Sequence, residues 1–149
     1  MTNIKIEDFQ QQAIDLIKKF EGLSLTPYLC SANKSTIGYG HVILPNERYI
    51  KITEAEAEEI LNQDLQKFFK EYIKYVKVEL NQNQHASLFS LMFNIGIRAF
   101  AKSTLLKYIN ENANESDIKK EFLRWKFVNK VESKGLLNRR LLEWEIYSK

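Results

Sequence analysis

Between Phe20 and His41, the segment FEGLSLTPYLCSANKSTIGYGH holds a single carboxylate, Glu21. Nine residues on, where a hydrolase wants a partner acid, stands Cys30, the one cysteine of the chain, and Thr36 follows. A glutamic acid donates a proton when its surroundings disfavour the ionised form. A thiol becomes a nucleophile or a negative charge only when its pKa is lowered. Taken singly, each residue has a plain reading: Glu21 a salt-bridged surface acid, Cys30 a small buried hydrophobe, Thr36 a strand residue. Lys34 is the one cation near Cys30 in sequence, so no lowering of the thiol is visible.

The elements around these residues sharpen the choice. Phe9, Ala13, Leu16, Ile17 and Phe20 recur at helical steps, and Gly22 supplies the stop. Glu21 thus falls in the last turn of an amphipathic helix, beside unpaired carbonyls that disfavour negative charge. From Leu25 to Val42, Pro27, the run SANKS and the glycines of TIGYGH predict short strands around turns. Thr53 with Glu56 forms a capping box for a long helix reaching about Val76, and Asn81 with Gln84 opens another. The second, HASLFSLMFNIG, is apolar nearly all round and reads as the buried core helix, ended by Gly96. Shorter helices are expected at about Ser103–Asn110, Ser116–Phe127 and Leu137–Tyr147.

The chain has 149 residues, 44% hydrophobic and 28% charged, the size and balance of one folded domain. A net charge of +3 is too small to call for nucleic acid, but it suits loose attraction to an anionic polymer such as a cell wall. A lone cysteine forms no internal disulfide. The first twenty residues lack the apolar core of a signal peptide, and no stretch approaches the ~20 apolar residues of a membrane span. The expectation is a protein made in the cytoplasm, without signal peptide or membrane insertion.

The spacing of Glu21, Cys30 and Thr36, with Tyr28 and TIGYGH, resembles the active-site stretch of the phage-type lysozymes, or endolysins. In that family a Glu, eight residues, an Asp or sometimes Cys, five residues and a Thr stand in the same order. ITEAEAEEILNQDL, LNQNQHASLFSLMFNIGIRAFAKSTLL and FLRWKFVNKVESKGLLNRRLLEWEIY resemble the later blocks, so the likeness runs from about Phe9 to Tyr147. It implies an α+β, mainly α, lysozyme-like fold. A small hairpin-containing lobe (about 22–60) would face a larger helical lobe (about 80–149 plus the first helix) across a cleft, the two joined by the long helix of a single domain spanning 1–149.

The implied activity is hydrolysis of the β-1,4 bond between N-acetylmuramic acid and N-acetylglucosamine in peptidoglycan, without cofactor or metal. Glu21 would be the general acid, with Cys30 and Thr36 on the opposite sugar face. Those two could hold a water, giving inversion, or Cys30 could form a glycosyl-enzyme, giving retention. Tyr28, His41, Val42, Phe93, Asn94, Ser103 and Thr104 are the candidate substrate-binding residues. For His41 a structural tie on the hairpin is the stronger reading, and for Phe93 the core. Asn94 needs a hydrogen-bonding reason, which a sugar or the helix end could provide. His41 and His85 lie apart with no ligand cluster, which argues against zinc. Asn33 stands where the family commonly has Gly, and Val42 where it has Thr. Arg139 and Arg140 read as a solvated helix face, with weak wall attraction second.

The implied partners are peptidoglycan and a holin-like membrane protein that releases the enzyme, which would act as a monomer. Two alternatives stay open: a lytic transglycosylase using Glu21 alone, and a non-catalytic peptidoglycan-binding protein.

Overall fold

The computed structural model describes residues 3–149. After a short 3-10 turn at Ile6–Asp8, α1 runs from Gln10 to Glu21. Gly22 ends it at φ 66°, its N–H bonded to the Lys18 carbonyl at 3.0 Å. Only a residue at ease in the left-handed region turns the chain so sharply there. Three short antiparallel strands follow in the order β1 (Ser24–Leu29), β2 (Ser35–Gly38) and β3 (His41–Val42). Tyr28 pairs with Thr36 and Ile37 with His41. The β1–β2 turn closes through Cys30 and Lys34, whose N–H and C=O lie 2.9 Å apart, with Asn33 left-handed at φ 61°. Asparagine therefore fills the glycine position without a penalty large enough to open the turn.

Helix α2 (Glu54–Tyr75) begins with the Thr53–Glu56 capping box, both bonds 3.1 Å. Helix α3 (Gln82–Ile95) begins with the Asn81–Gln84 box and is buried without interruption from His85 to Phe93. It lies between α1 and the last helix, as its apolar circumference requires. Phe9, Tyr72, Phe89 and Phe100 meet around it with ring centroids 5.6–6.2 Å apart. The rest of the larger lobe comprises α4 (Ile97–Ala101), α5 (Thr104–Asn110), α6 (Glu115–Leu123), the hairpin β4–β5 (Phe127–Val128, Val131–Glu132) and α7 (Lys134–Tyr147).

The expected elements occur with three differences. Helix α4 was not foreseen, because IRAFA is too short to show a period. Helix α6 stops at Leu123 instead of continuing to Phe127, and a two-stranded hairpin follows, its tip Asn129 and Lys130 both left-handed. Helix α7 starts at Lys134, three residues before the expected Leu137, because Ser133 caps it through the Leu136 N–H. Among the described residues no helix is long and apolar enough to cross a membrane.

Candidate active site

Helix α1 delivers Glu21 to a groove of about 460 Å³. The opposite lip is Tyr28, Leu29 and Cys30 at the end of β1, and the near wall is Asn94 of α3 with Ser133, Leu136 and Arg139 of α7. Glu21 and Cys30 thus face one space from different lobes. Glycine at position 40 is required for this packing. Gly40 sits at φ 78°, and a Cβ built on it would lie 2.8 Å from the Glu21 carboxyl.

Arg139 corrects one sequence expectation. Instead of presenting a solvated face, Arg139 is 4% exposed and Arg140 is fully buried. Arg139 donates through Nη1 to Glu21 Oε2 at 2.8 Å, through Nε to Glu143 Oε2 at 3.2 Å, and through Nη2 to the Ser90 carbonyl at 3.0 Å. Arg140 donates to the other Glu143 oxygen, to the Trp125 carbonyl at 2.9 Å and to Asn94 Oδ1. Glu143, wholly buried, also accepts from the Ser90 hydroxyl at 2.7 Å. Two guanidiniums and two carboxylates therefore compensate one another where isolated charges would be prohibitive. Only the i,i+3 and i,i+4 spacing of Arg139, Arg140 and Glu143 hinted at this cluster in the sequence. The helix end beside Glu21 was legible, and the guanidinium facing it was not. Because arginine has donors only, Arg139 occupies Oε2, and Oε1 is the oxygen it leaves unengaged.

Cys30 departs from expectation as well. Burial acts to raise its thiol, but the backbone N–H groups of Lys34 and Ala32, the Thr36 hydroxyl and the Lys34 charge together hold it below the ordinary thiol value. The lowering thus comes mainly from the backbone of the turn that closes the hairpin, an effect that residue types do not reveal. Thr36, 2% exposed, lies behind the sulfur with its hydroxyl 2.8 Å from the Lys34 carbonyl.

The other candidate residues fall in neighbouring grooves. Gly40, His41, Val42, Asp64 and Phe93 line a second, smaller one. His41 is buried between two acids, Nδ1 2.8 Å from Asp64 and Nε2 2.9 Å from Glu47, and so ties β3 to α2 and to the loop after it. The Asp64 bond raises its pKa, burial opposes, and Glu47 adds to the rise. Phe93 is 7% exposed and packs on Phe68 at 5.0 Å. Ser103 and Thr104 border a third groove with Trp125 and Arg124, away from Glu21. The Ser103 hydroxyl is already engaged, accepting from Leu106 N–H at 3.0 Å and donating to the Phe100 carbonyl at 2.7 Å.

A cleft between a small sheet and a helical lobe, with one glutamic acid at the end of the first helix, is the arrangement of a lysozyme-type glycosidase. The comparisons with known proteins agree. The phage lysozyme family model matches residues 18–143. An endolysin of Acyrthosiphon pisum secondary endosymbiont phage 1 is 38% identical over 142 residues, covering 92% of this chain and 95% of that one. The endolysin of Bacillus phage PZA is 38% identical over 140 residues, covering 93% of this chain and 54% of that longer protein. The chain thus spans about half the length of that relative. Among solved structures, the endolysin from Escherichia coli O157:H7 phage FAHEc1 superposes with a TM-score of 0.81 at 35% identity, covering 98% of this chain and 94% of that one. The chain belongs to the phage lysozyme family and is an enzyme of the endolysin, or muramidase, type.

Proposed function

We propose that the protein hydrolyses the β-1,4 bond between N-acetylmuramic acid and N-acetylglucosamine, with Glu21 as general acid and Cys30 acting from the opposite face. The observation that carries this reading is that Glu21 and Cys30 line one groove from two lobes, with Arg139 donating to Glu21. Glu21 Oε1 gives its proton to the glycosidic oxygen as the bond breaks, and Arg139 steadies the carboxylate left behind. Positive charge then grows on the anomeric carbon, where a thiolate at Cys30 opposes it. Thr36, buried with its one hydroxyl proton donated to the Lys34 carbonyl, serves by holding the turn that carries Cys30 rather than by touching water. Tyr28, Asn94, His41, Val42 and Phe93 extend the binding surface along the two adjoining grooves, with Ser103 and Thr104 at its far end. In this reading the enzyme acts as a monomer and reaches the wall through a separate holin-like protein. Lysis on expression without any second protein would overturn that last step.

Muropeptide analysis of digested wall tests the reaction. Hydrolysis leaves reducing ends, whereas an anhydro product would assign the chemistry to a transglycosylase. Binding without new ends would make the protein a wall-binding module. The anomer first released, followed by NMR, decides between attack by Cys30 with retention and attack by a held water with inversion.

A further inference from the structure

Asn94 is the one neutral polar side chain on the core-helix wall of the groove, and its partner is Arg140, a fully buried residue with no access to substrate. A guanidinium offers donors and no acceptor, so only the carbonyl oxygen of the Asn94 carboxamide can face it. The opposite edge is thereby fixed. Among the described residues Nδ2 donates no hydrogen bond, yet no side-chain polar atom is both buried and unpaired, so this N–H₂ is open to the groove. Arg140 is itself over-determined, with Nε on the Trp125 carbonyl and Nη1 on Glu143, so it cannot swing away to release the amide. Glu143 is shared with Arg139, which holds Glu21. One buried carboxylate therefore anchors both the proton donor and the amide beside it.

Resting on the muramidase reading above, we propose that Arg140 is a positioning residue that locks the Asn94 carboxamide with its N–H edge toward the groove, where it donates to a carbonyl oxygen of the bound glycan. Two groups of the substrate carry such an oxygen: the acetamido group of an amino sugar and the amide of the peptide stem. Both are neutral acceptors, which suits a neutral donor beside an acid whose charge changes during the reaction. A carboxylate at position 94 would satisfy Arg140 equally well but present an acceptor to an acceptor.

The test measures binding of solubilised glycan strands in a Glu21→Gln background, so that no ligand is consumed, together with KM and kcat in the Glu21 enzyme. Asn94→Ala is expected to weaken binding roughly 3- to 10-fold and Asn94→Asp more than 10-fold, in KM with kcat held, since a lost hydrogen bond costs less than an unpaired or repelled one. Arg140→Lys, which cannot make three fixed donations at once, should raise KM alike, and adding Asn94→Ala to it should change nothing further. If Arg140→Lys fails to fold, Asn94→Asp carries the test alone, because its ion pair with Arg140 keeps the buried cation compensated. The Asn94→Ala penalty should vanish on de-N-acetylated strands if the acceptor is acetamido, and on strands stripped of peptide if it is the stem. Unchanged binding by Asn94→Asp, a fall in kcat without a change in KM, or a penalty that survives both strand treatments would each overturn the proposal. Failure of the underlying reading looks different: there, Glu21→Gln itself would still cut the wall.

Discussion

The two walls of the groove place their reactive groups by opposite means. On the helical side, Glu21 and Asn94 are held by side chains, through a buried lattice of Arg139, Arg140 and Glu143 that spans α1, α3 and α7. On the hairpin side, Cys30 is held by backbone: its N–H donates to the Lys34 carbonyl and its own carbonyl accepts from the Asn33 N–H, beside the Tyr28–Thr36 strand pair. A side-chain lattice fixes geometry over a long span of sequence but depends on every charge being matched. A backbone turn needs nothing beyond its own few residues, and tolerates exposure, as Leu29 next door shows at 67%. Rigidity thus lies with Glu21 and local autonomy with Cys30.

If Glu21 is the general acid proposed above, its replacement is the largest break. Glu21→Gln is expected to slow wall clearing by about 10²- to 10⁴-fold while melting close to the wild type. Next, Glu143→Leu strands two buried guanidiniums and should cost about 3–5 kcal/mol in urea unfolding. Cys30→Ser, by contrast, should leave stability nearly untouched, and that difference tests the division of labour directly.

Protonation separates the lobes too. His85, in the helical core, bonds to the Tyr72 hydroxyl at 2.7 Å, and burial pushes its pKa down to about 4. It is neutral in the fold but takes a proton when unfolded below about pH 6.5, so stability should fall between pH 6.5 and 4, by roughly 3 kcal/mol at most. Melting followed by circular dichroism should show that slope in the wild type and lose it in His85→Gln. The thiol of Cys30 acts on rate instead. Because its thiolate form grows with pH, activity should rise through a value below the ordinary thiol pKa, and Cys30→Asp should flatten that limb. The smallest effect is that of His41, whose raised pKa gives the opposite sign from His85. Its stabilisation is complete below about pH 6.5 and is lost as pH climbs through the higher folded value, a decline that His41→Asn should remove.

The same asymmetry explains what was legible in the sequence. Local signals read well: the caps at Thr53 and Asn81, the stops at Gly22 and Gly96, and the apolar circumference of α3 all act within a few residues. The family likeness carried by the order and spacing of Glu21, Cys30 and Thr36 was equally plain. Arg139 and Arg140 were misread because charge alone suggests solvent, and their acid partners come partly from 118 residues away. The lowered thiol was invisible because its cause is N–H groups, which every residue but proline carries. Hairpin β4–β5 escaped notice since strands of two residues leave no alternation to see.

The ion pair between Glu21 and Arg139 bridges nearly the whole chain. The two residues stand 118 positions apart, so Glu21 meets its cation only once α7 has been made, and the side of α3 that α7 covers stays bare until then. Removing α7 is therefore expected to leave Glu21 without its guanidinium and one side of the core helix bare, and so to abolish wall clearing.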